Sequence, residues 1–373
     1  MMNRFGIYSL VFVLATATSV VEASFHDKWM GTIFEEAGVT IIRNPKEPLH
    51  KTPILEIEEE LSIGGSGIGE DHELGQVRGF VVDNDGQIYV LDGRAPHIKI
   101  FDSSGKHIRS IGQKGQGPGE LDMPSAVSIN RKKEELAVFE LSRRISVFSL
   151  GCVFLRHIEN IWTRGGHIDS KGNIYVINDF VNPEDPRFEL KKLASDASLI
   201  DILAVYTSPP SPKINPFLPH GTFLLDKEEN LVYGYPSSYE IHYFGAESGK
   251  VFRKVVRDYD PLEITDEGKE EKSKSYSSKV TLVFSKYHSA YKRFFMSDEG
   301  HLFVQTWEIT EDGKSIHDIF DSKGRFIGRI PLNPSGMEIL NGKYYALETG
   351  EDGRQIVKRY TVNWKVETEA LKE

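Results

Sequence analysis

Apolar and polar positions alternate along this chain in short runs, each ended by a turn. The stretch "QIYVLDGRAPHIKIFDSSGKHIRSI" (87–111) carries the pattern: three alternating runs separated by Asp-Gly and Ser-Gly-Lys. Period-two alternation predicts strands, and glycine at those turns supplies the positive φ that tight hairpins require. Two segments match closely, "IKIFDSSGKHIRSI" (98–111) and "HDIFDSKGRFIGRI" (317–330), preceded by "DNDGQIYV" (83–90) and "SDEGHLFV" (297–304). One unit thus reads strand, turn, strand, loop, strand, turn, strand: a four-stranded antiparallel sheet. Weaker copies open near Val127, His167, Phe223 and Met337, which makes six units.

The third-strand ends Phe101, Phe148, Leu193 and Phe244 fall 47, 45 and 51 residues apart, and Phe320 to Tyr360 is 40. A period of this size with four strands per unit predicts a six-bladed all-β propeller spanning 52–367. The gap from Phe244 to Phe320 is longer, 76 residues, and holds a charged insertion, 259–293, between the fourth and fifth blades. A helix is expected there from Thr265, with Asp266 and Glu267 in its first turn. The strand-like run "TPILEIEEELSIG" (52–64) has no partners of its own, and the last unit ends early after "KRYTVNWKVE". Residues 53–63 are therefore expected to supply the outer strand of the last blade and fasten the ring.

The glycine-rich stretch "GQKGQGPGELDMPSAVSI" (112–129) links one unit to the next. A phosphate loop needs its glycines to open a helix. Here Pro124 leads into a strand instead, and "GGSGIGEDHELGQVRGF" (64–80) repeats the pattern with Glu73-Leu74 in place of Glu120-Leu121. Both are connectors. The segments "GQGPGELDMPSAVSI" and "DNDGQIYVLDGRAPHIKIFDSSGKHI" resemble the NHL-repeat family and its bacterial six-bladed propeller relatives, as does "FSKYHSAYKRFFMSDEGHLFVQTWE". That resemblance covers nearly all of the chain after its first residues. It implies a binding scaffold or, in some relatives, a lactonase or lyase.

The first 23 residues carry Arg4, an apolar core from Ile7 to Val21 and a small-residue end at Val21-Glu22-Ala23. They read as a cleaved secretory signal, so the protein is expected to be secreted or periplasmic, with no membrane span after cleavage. Residues 24–51 form a lead-in and 368–373 a tail. A formal net charge of -10, with no long Lys/Arg run, argues against nucleic acid as a partner. The lone Cys152 excludes an intrachain disulfide and a Cys-based zinc site, and is expected to be a small core residue on a strand.

In such a ring the loops between second and third strands share a face with the blade-to-blade connectors. Aligning the second strands gives one column there: Asp92, Glu140, Asn178, Tyr235, Thr306 and Glu348. Oxygen ligands from several blades suit Ca²⁺ or another divalent ion, with Asp92, Glu140, Asn178 and Glu348 as the candidates. The same residues suit hydrogen bonds to backbone in their own loops, and that is the preferred reading. The lactonase relatives hold a divalent ion with a Glu, Asn and Asp set from separate blades, a set that does not map onto this chain residue by residue. No catalytic residue and no required cofactor emerges. Departures from the repeat on that face are Arg94, Arg143, Arg144, Tyr235, Tyr239, Trp307 and Glu308. Arginines and aromatics at a concave mouth suit a protein, peptide or glycan ligand. The alternative is a metal-dependent, lactonase-like hydrolase or lyase at the central channel. His167, at the start of an inner strand, suits an inward position there, but a satisfied structural histidine is the preferred reading. The proline-rich loop "SPPSPKINPFLPH" (208–220) is a docking segment or a rigid connector.

Overall fold

A computed structural model describes residues 28–366 apart from 66–68, 70–71, 183–184, 208–213, 278–279, 334, 336 and 351. The signal-like segment, the C-terminal tail and residues 208–213 of the proline-rich loop lie outside the described residues. Six blades, each with four antiparallel strands, stand around a central channel. Their inner strands are Val77–Val82, Pro124–Asn130, Gly166–Ile168, Thr222–Leu225, Arg293–Met296 and Met337–Leu340, and they open blades 1 to 6 in that order.

Apolar side chains of one sheet face pack on the next blade, giving six clusters for six interfaces. Between blades 1 and 2, for example, Tyr89, Leu91 and Ile100 meet Leu136, Val138 and Phe148. Each fully buried side chain of this size contributes about 1.5–3 kcal/mol. The inner hairpins repeat one device. Asp83 accepts from the N–H groups of Asp85 and Gln87 and from the Tyr89 hydroxyl, and Asp169 does the same for Lys171, Asn173 and Tyr175. The Asp-x-x-Gly turns fold this way because a short carboxylate can satisfy its own turn's donors.

The ring closes on the N-terminal strand. Leu55–Gly64 pairs antiparallel with Gln355–Trp364 as the outer strand of blade 6. The lead-in does more than the sequence reading gives it. Val39–Asn44 runs parallel to Val251–Arg257 at the outer edge of blade 4, and Thr32–Glu36 folds back on it, so that sheet has six strands. Asn44, fully buried, then clasps blades 4 and 5. Its amide donates to Val256 O (3.2 Å) and Gly324 O (2.9 Å), and its carbonyl accepts from Phe326 N (2.7 Å) and Trp29 Nε1 (3.0 Å). Farther on, Leu49 N and His50 N donate to Phe326 O and Ile327 O of blade 5. Ile54 lies so close to Gly328 that a Cβ there would come within 2.5 Å of it. Residues 28–64 thus strap three blades along the outer rim.

The insertion holds one helix, Asp266–Ser273, whose N-cap Thr265 accepts from Gly268 N at 3.1 Å; none of its residues is buried. It is held by Ile264 N donating to Lys286 O and by Ala290 N donating to Pro236 O. Cys152 is not on a strand. It occupies a turn with φ of 71°, half-buried against the cluster between blades 1 and 2.

Candidate functional site

The face bearing the connectors and the loops between second and third strands carries the residues singled out from the sequence, and most of them are engaged with their own loops. Asp92 accepts from Gly75 N (2.8 Å), Gln76 N (3.1 Å) and Arg94 N (2.8 Å), which ties the connector entering blade 1. Burial opposes ionisation of Asp92, but these N–H groups outweigh it and hold the carboxyl below its ordinary range. Glu140, 1% exposed, accepts from Asp122 N, from the Ser146 hydroxyl and from Arg144, whose Nε and Nη2 reach it at 3.1 and 3.0 Å.

Arg144 donates onward to the carbonyls of Gly115, Gln116 and Glu120. The glycine connector of 112–123 is therefore wound around Arg144 on one side and Glu120 on the other, the Glu120 carboxylate accepting from Gly117 N and Gln113. A Cβ on Gly115 would fall 2.0 Å from that carboxylate, so the glycine serves a close approach.

Tyr239 is buried in the core between blades 4 and 5 and donates to Asp318 (2.6 Å); burial pushes its hydroxyl well above the usual range. Trp307 is built under the insertion: its indole stacks on His288 at 4.1 Å, Lys292 Nζ lies over the ring, and Nε1 donates to Ser289. Burial and Lys292 depress the His288 imidazole to about 4. Tyr235 stacks on Tyr206 at 4.0 Å, Thr306 donates to Ile316 O, and Glu308 takes Arg329. Glu348 accepts from the Tyr360 hydroxyl and faces Lys358 at 3.5 Å. Asn178 lies on the second strand of blade 3, paired with Glu189. Arg94 and Arg143 are exposed. These residues are spread over all six blades, and the acids Asp92, Glu140, Glu308 and Glu348 each bind groups of their own blade or of the connector entering it. Among the described residues, no three His, Cys, Asp or Glu side chains converge as a metal site.

The central channel holds a cavity of about 810 Å³, lined by all six inner strands and by the hairpin turns of every blade but the third. It extends to the hairpin face, opposite the loops just described. Its wall is apolar, with Phe80, Val127, Ile129, Leu225 and Met296 half-buried around it. Charged residues, Arg131, Lys132, Lys227, Glu229 and Asp298 among them, gather in the hairpin turns at its mouth. Arg131 is held there by Val82 O and Glu338, and Lys132 lies 3.6 Å from Glu229. Phe223 lines both this cavity and a smaller one of about 290 Å³ on the loop face, walled by Thr163, Arg164, Phe188 and His220.

His167 lines the central channel. Its ring meets Phe223 edge to face at 5.4 Å, and its Nδ1 stands 3.4 Å from the Ser128 hydroxyl. Burial depresses this imidazole to about 4, partly offset by the nearby Phe223 backbone carbonyl. The sequence reading placed His167 but missed Ser128. Aligning inner strands on the hairpin residues Asp83, Asn130, Asp169, Asp226 and Ser297, instead of second strands, would have found it. Two positions earlier stand Val81, Ser128, His167, Leu224 and Phe295, with Glu338 at the equivalent place on blade 6; Ser128 and His167 are the polar pair on adjacent blades.

A family profile described as a 6-bladed beta-propeller matches residues 70–306. Among solved structures, a Bacteroides fragilis protein described as exported is similar over 87% of this chain and 100% of its own, at 14% identity and a TM-score of 0.56. Virginiamycin B lyase from Staphylococcus aureus aligns over 82% of this chain and 99% of its own, at 13% identity and a TM-score of 0.43, too low to bear on function. Among curated proteins none matches this chain. No helix among the described residues is long and apolar enough to cross a membrane.

Proposed function

The chain belongs to the six-bladed β-propeller family, and from that premise we propose that it is an extracytoplasmic binding propeller whose ligand enters the central channel from the hairpin face. The observation that carries this reading is the cavity of about 810 Å³, apolar-walled and ringed by polar groups at its mouth. That is the usual form of a small-ligand site. The loop face supports a peptide or glycan site less well, because Arg144, Tyr239 and Trp307 are engaged inside the protein. A divalent-metal hydrolase would draw on Asp92, Glu140 and Glu348, and each of these is bound to groups of its own blade or connector. Export is supported by the signal-like N-terminus and by the exported neighbour. Kinship with NHL-repeat propellers is supported by the Asp-Gly hairpins and the Glu-Leu connectors.

A thermal-shift screen of small neutral amphiphiles, short peptides and oligosaccharides tests the site. Its companion variant is Gly79→Leu, which puts a side chain into the channel; a Cβ there meets only Val127, at an ordinary 3.6 Å. Small-molecule hits that Gly79→Leu abolishes are the expected result. Hits confined to peptides or oligosaccharides, and untouched by that variant, would move the site to the loop face.

A further inference from the structure

Building on the central-channel reading, we propose that the ligand is an uncharged amphipathic molecule. Its hydroxyl or amide head is held by Ser128 and His167, and its apolar body lies along the channel wall. Ser128 and His167 stand at one height on the adjoining inner strands of blades 2 and 3, and both line the cavity. Their separation of 3.4 Å is at the outer limit of a hydrogen bond. Each therefore keeps capacity for a partner placed between or beside them.

The geometry fixes what that partner can be. The ring of His167 is wedged edge-on against Phe223, with an 88° interplanar angle, and the Phe223 backbone carbonyl beside it favours a ring N–H on that side. The nitrogen facing Ser128 is then the lone-pair acceptor. Burial keeps the imidazole neutral at physiological pH, its value lying near 4. The pair thus offers one acceptor and one hydroxyl, the complement of a group that both donates and accepts.

A charged head is disfavoured at this height. The positions level with the pair on blades 1, 4 and 5 are Val81, Leu224 and Phe295; on blade 6 it is Glu338, whose carboxylate is already taken by Arg131, and the other charged lining residues lie toward the hairpin mouth. A carboxylate or ammonium beside His167 would lose its water with no unpaired counter-charge to replace it, since Glu338 is matched by Arg131, and that is far costlier than burying a neutral hydroxyl. The half-buried Phe80, Val127, Ile129, Leu225 and Met296 present apolar surface to the open channel, where a hydrocarbon or aromatic body gains by covering it.

Three probes of one shape separate these effects: 2-naphthol, naphthalene and 2-naphthoate, titrated against the full chain at neutral pH by fluorescence and calorimetry. The expected order of affinity is 2-naphthol first, naphthalene next and 2-naphthoate last. Ser128→Ala and His167→Leu should each weaken 2-naphthol by about five- to tenfold while leaving naphthalene unchanged, the loss of one hydrogen bond in a buried site. Wild-type melting temperature in Ser128→Ala keeps the test valid if His167→Leu folds poorly. Equal binding of naphthol and naphthalene, or tightest binding of naphthoate, overturns the head-group assignment; where Gly79→Leu still abolishes binding, the central-channel reading survives that result. No binding of any probe, or binding that Gly79→Leu leaves intact, overturns the channel reading and this inference with it.

Discussion

The two faces of the propeller use polar residues in opposite ways. On the loop face, Asp92, Glu140 and Arg144 saturate their hydrogen bonds against the connectors entering blades 1 and 2. In the channel, Ser128 and His167 meet only at 3.4 Å, in the wall of an open cavity. A polar side chain whose donors and acceptors are all used within the protein holds the fold. One that keeps capacity toward a cavity is available to a ligand. Substitutions on the first face should therefore cost stability, and substitutions in the second should cost binding.

The largest effect is expected at Glu140. Glu140→Ala leaves Arg144 buried without its carboxylate, a loss of about 3–5 kcal/mol in urea or thermal unfolding. A loss below about 1 kcal/mol would show that Arg144 finds other partners and would blur the contrast between the faces.

Next comes Asp92→Ala, which unties three backbone N–H groups of the first connector and its own loop. About 1–3 kcal/mol is expected by the same assay. Wild-type stability in that variant would argue that Asp92 is free for another purpose.

Acid should weaken the fold through histidines on both sides of the comparison. His167 in the channel, His288 under the insertion and His317 in blade 5 are all pushed to about 4, chiefly by burial. Unfolded histidines titrate near 6.5. Between those values the unfolded chain binds more protons than the folded one, so stability is full above about 6.5 and declines as pH falls toward 4. Urea midpoints measured at pH 7.5, 6 and 5 should fall in that order. His167→Leu should flatten part of the slope without altering the loop face. A slope unchanged in that variant would mean His167 is protonated in the folded channel.

The smallest effect is expected at Arg94 and Arg143. Both are exposed, and Arg94→Ala with Arg143→Ala should change stability by no more than about 0.5 kcal/mol. Ligand affinity should not change either; a clear loss of affinity would return a role to the loop face.

The fold was legible because it is repeated. Each blade carries its own turn chemistry, so the matching segments at 98–111 and 317–330 implied the rest of the ring. The closing strand was legible by the same logic, since the last unit lacked a fourth strand that 53–63 could supply. The strap was not. Thr32–Glu36 and Val39–Asn44 copy no unit, and their partner Val251–Arg257 lies some two hundred residues away. Nor does any pattern mark Asn44 as a buried clasp. Site reading was weaker for a related reason. Departures from a repeat show where a residue differs, not which way its side chain turns. Arg144 and Tyr239 depart from the pattern because they brace neighbouring loops and blades. Ser128 drew no notice because serine is ordinary in a strand; only its place beside His167 gives it meaning.

Labelling the protein with a diazirine-bearing benzyl alcohol, followed by peptide mapping, tests the central claim most directly. This neutral probe joins covalently to whatever surrounds it when illuminated. The account predicts label on the inner strands Val77–Val82, Pro124–Asn130 and Thr222–Leu225, competed away by 2-naphthol. Label concentrated in the loops at 93–96 and 141–143, and indifferent to that competitor, would contradict it.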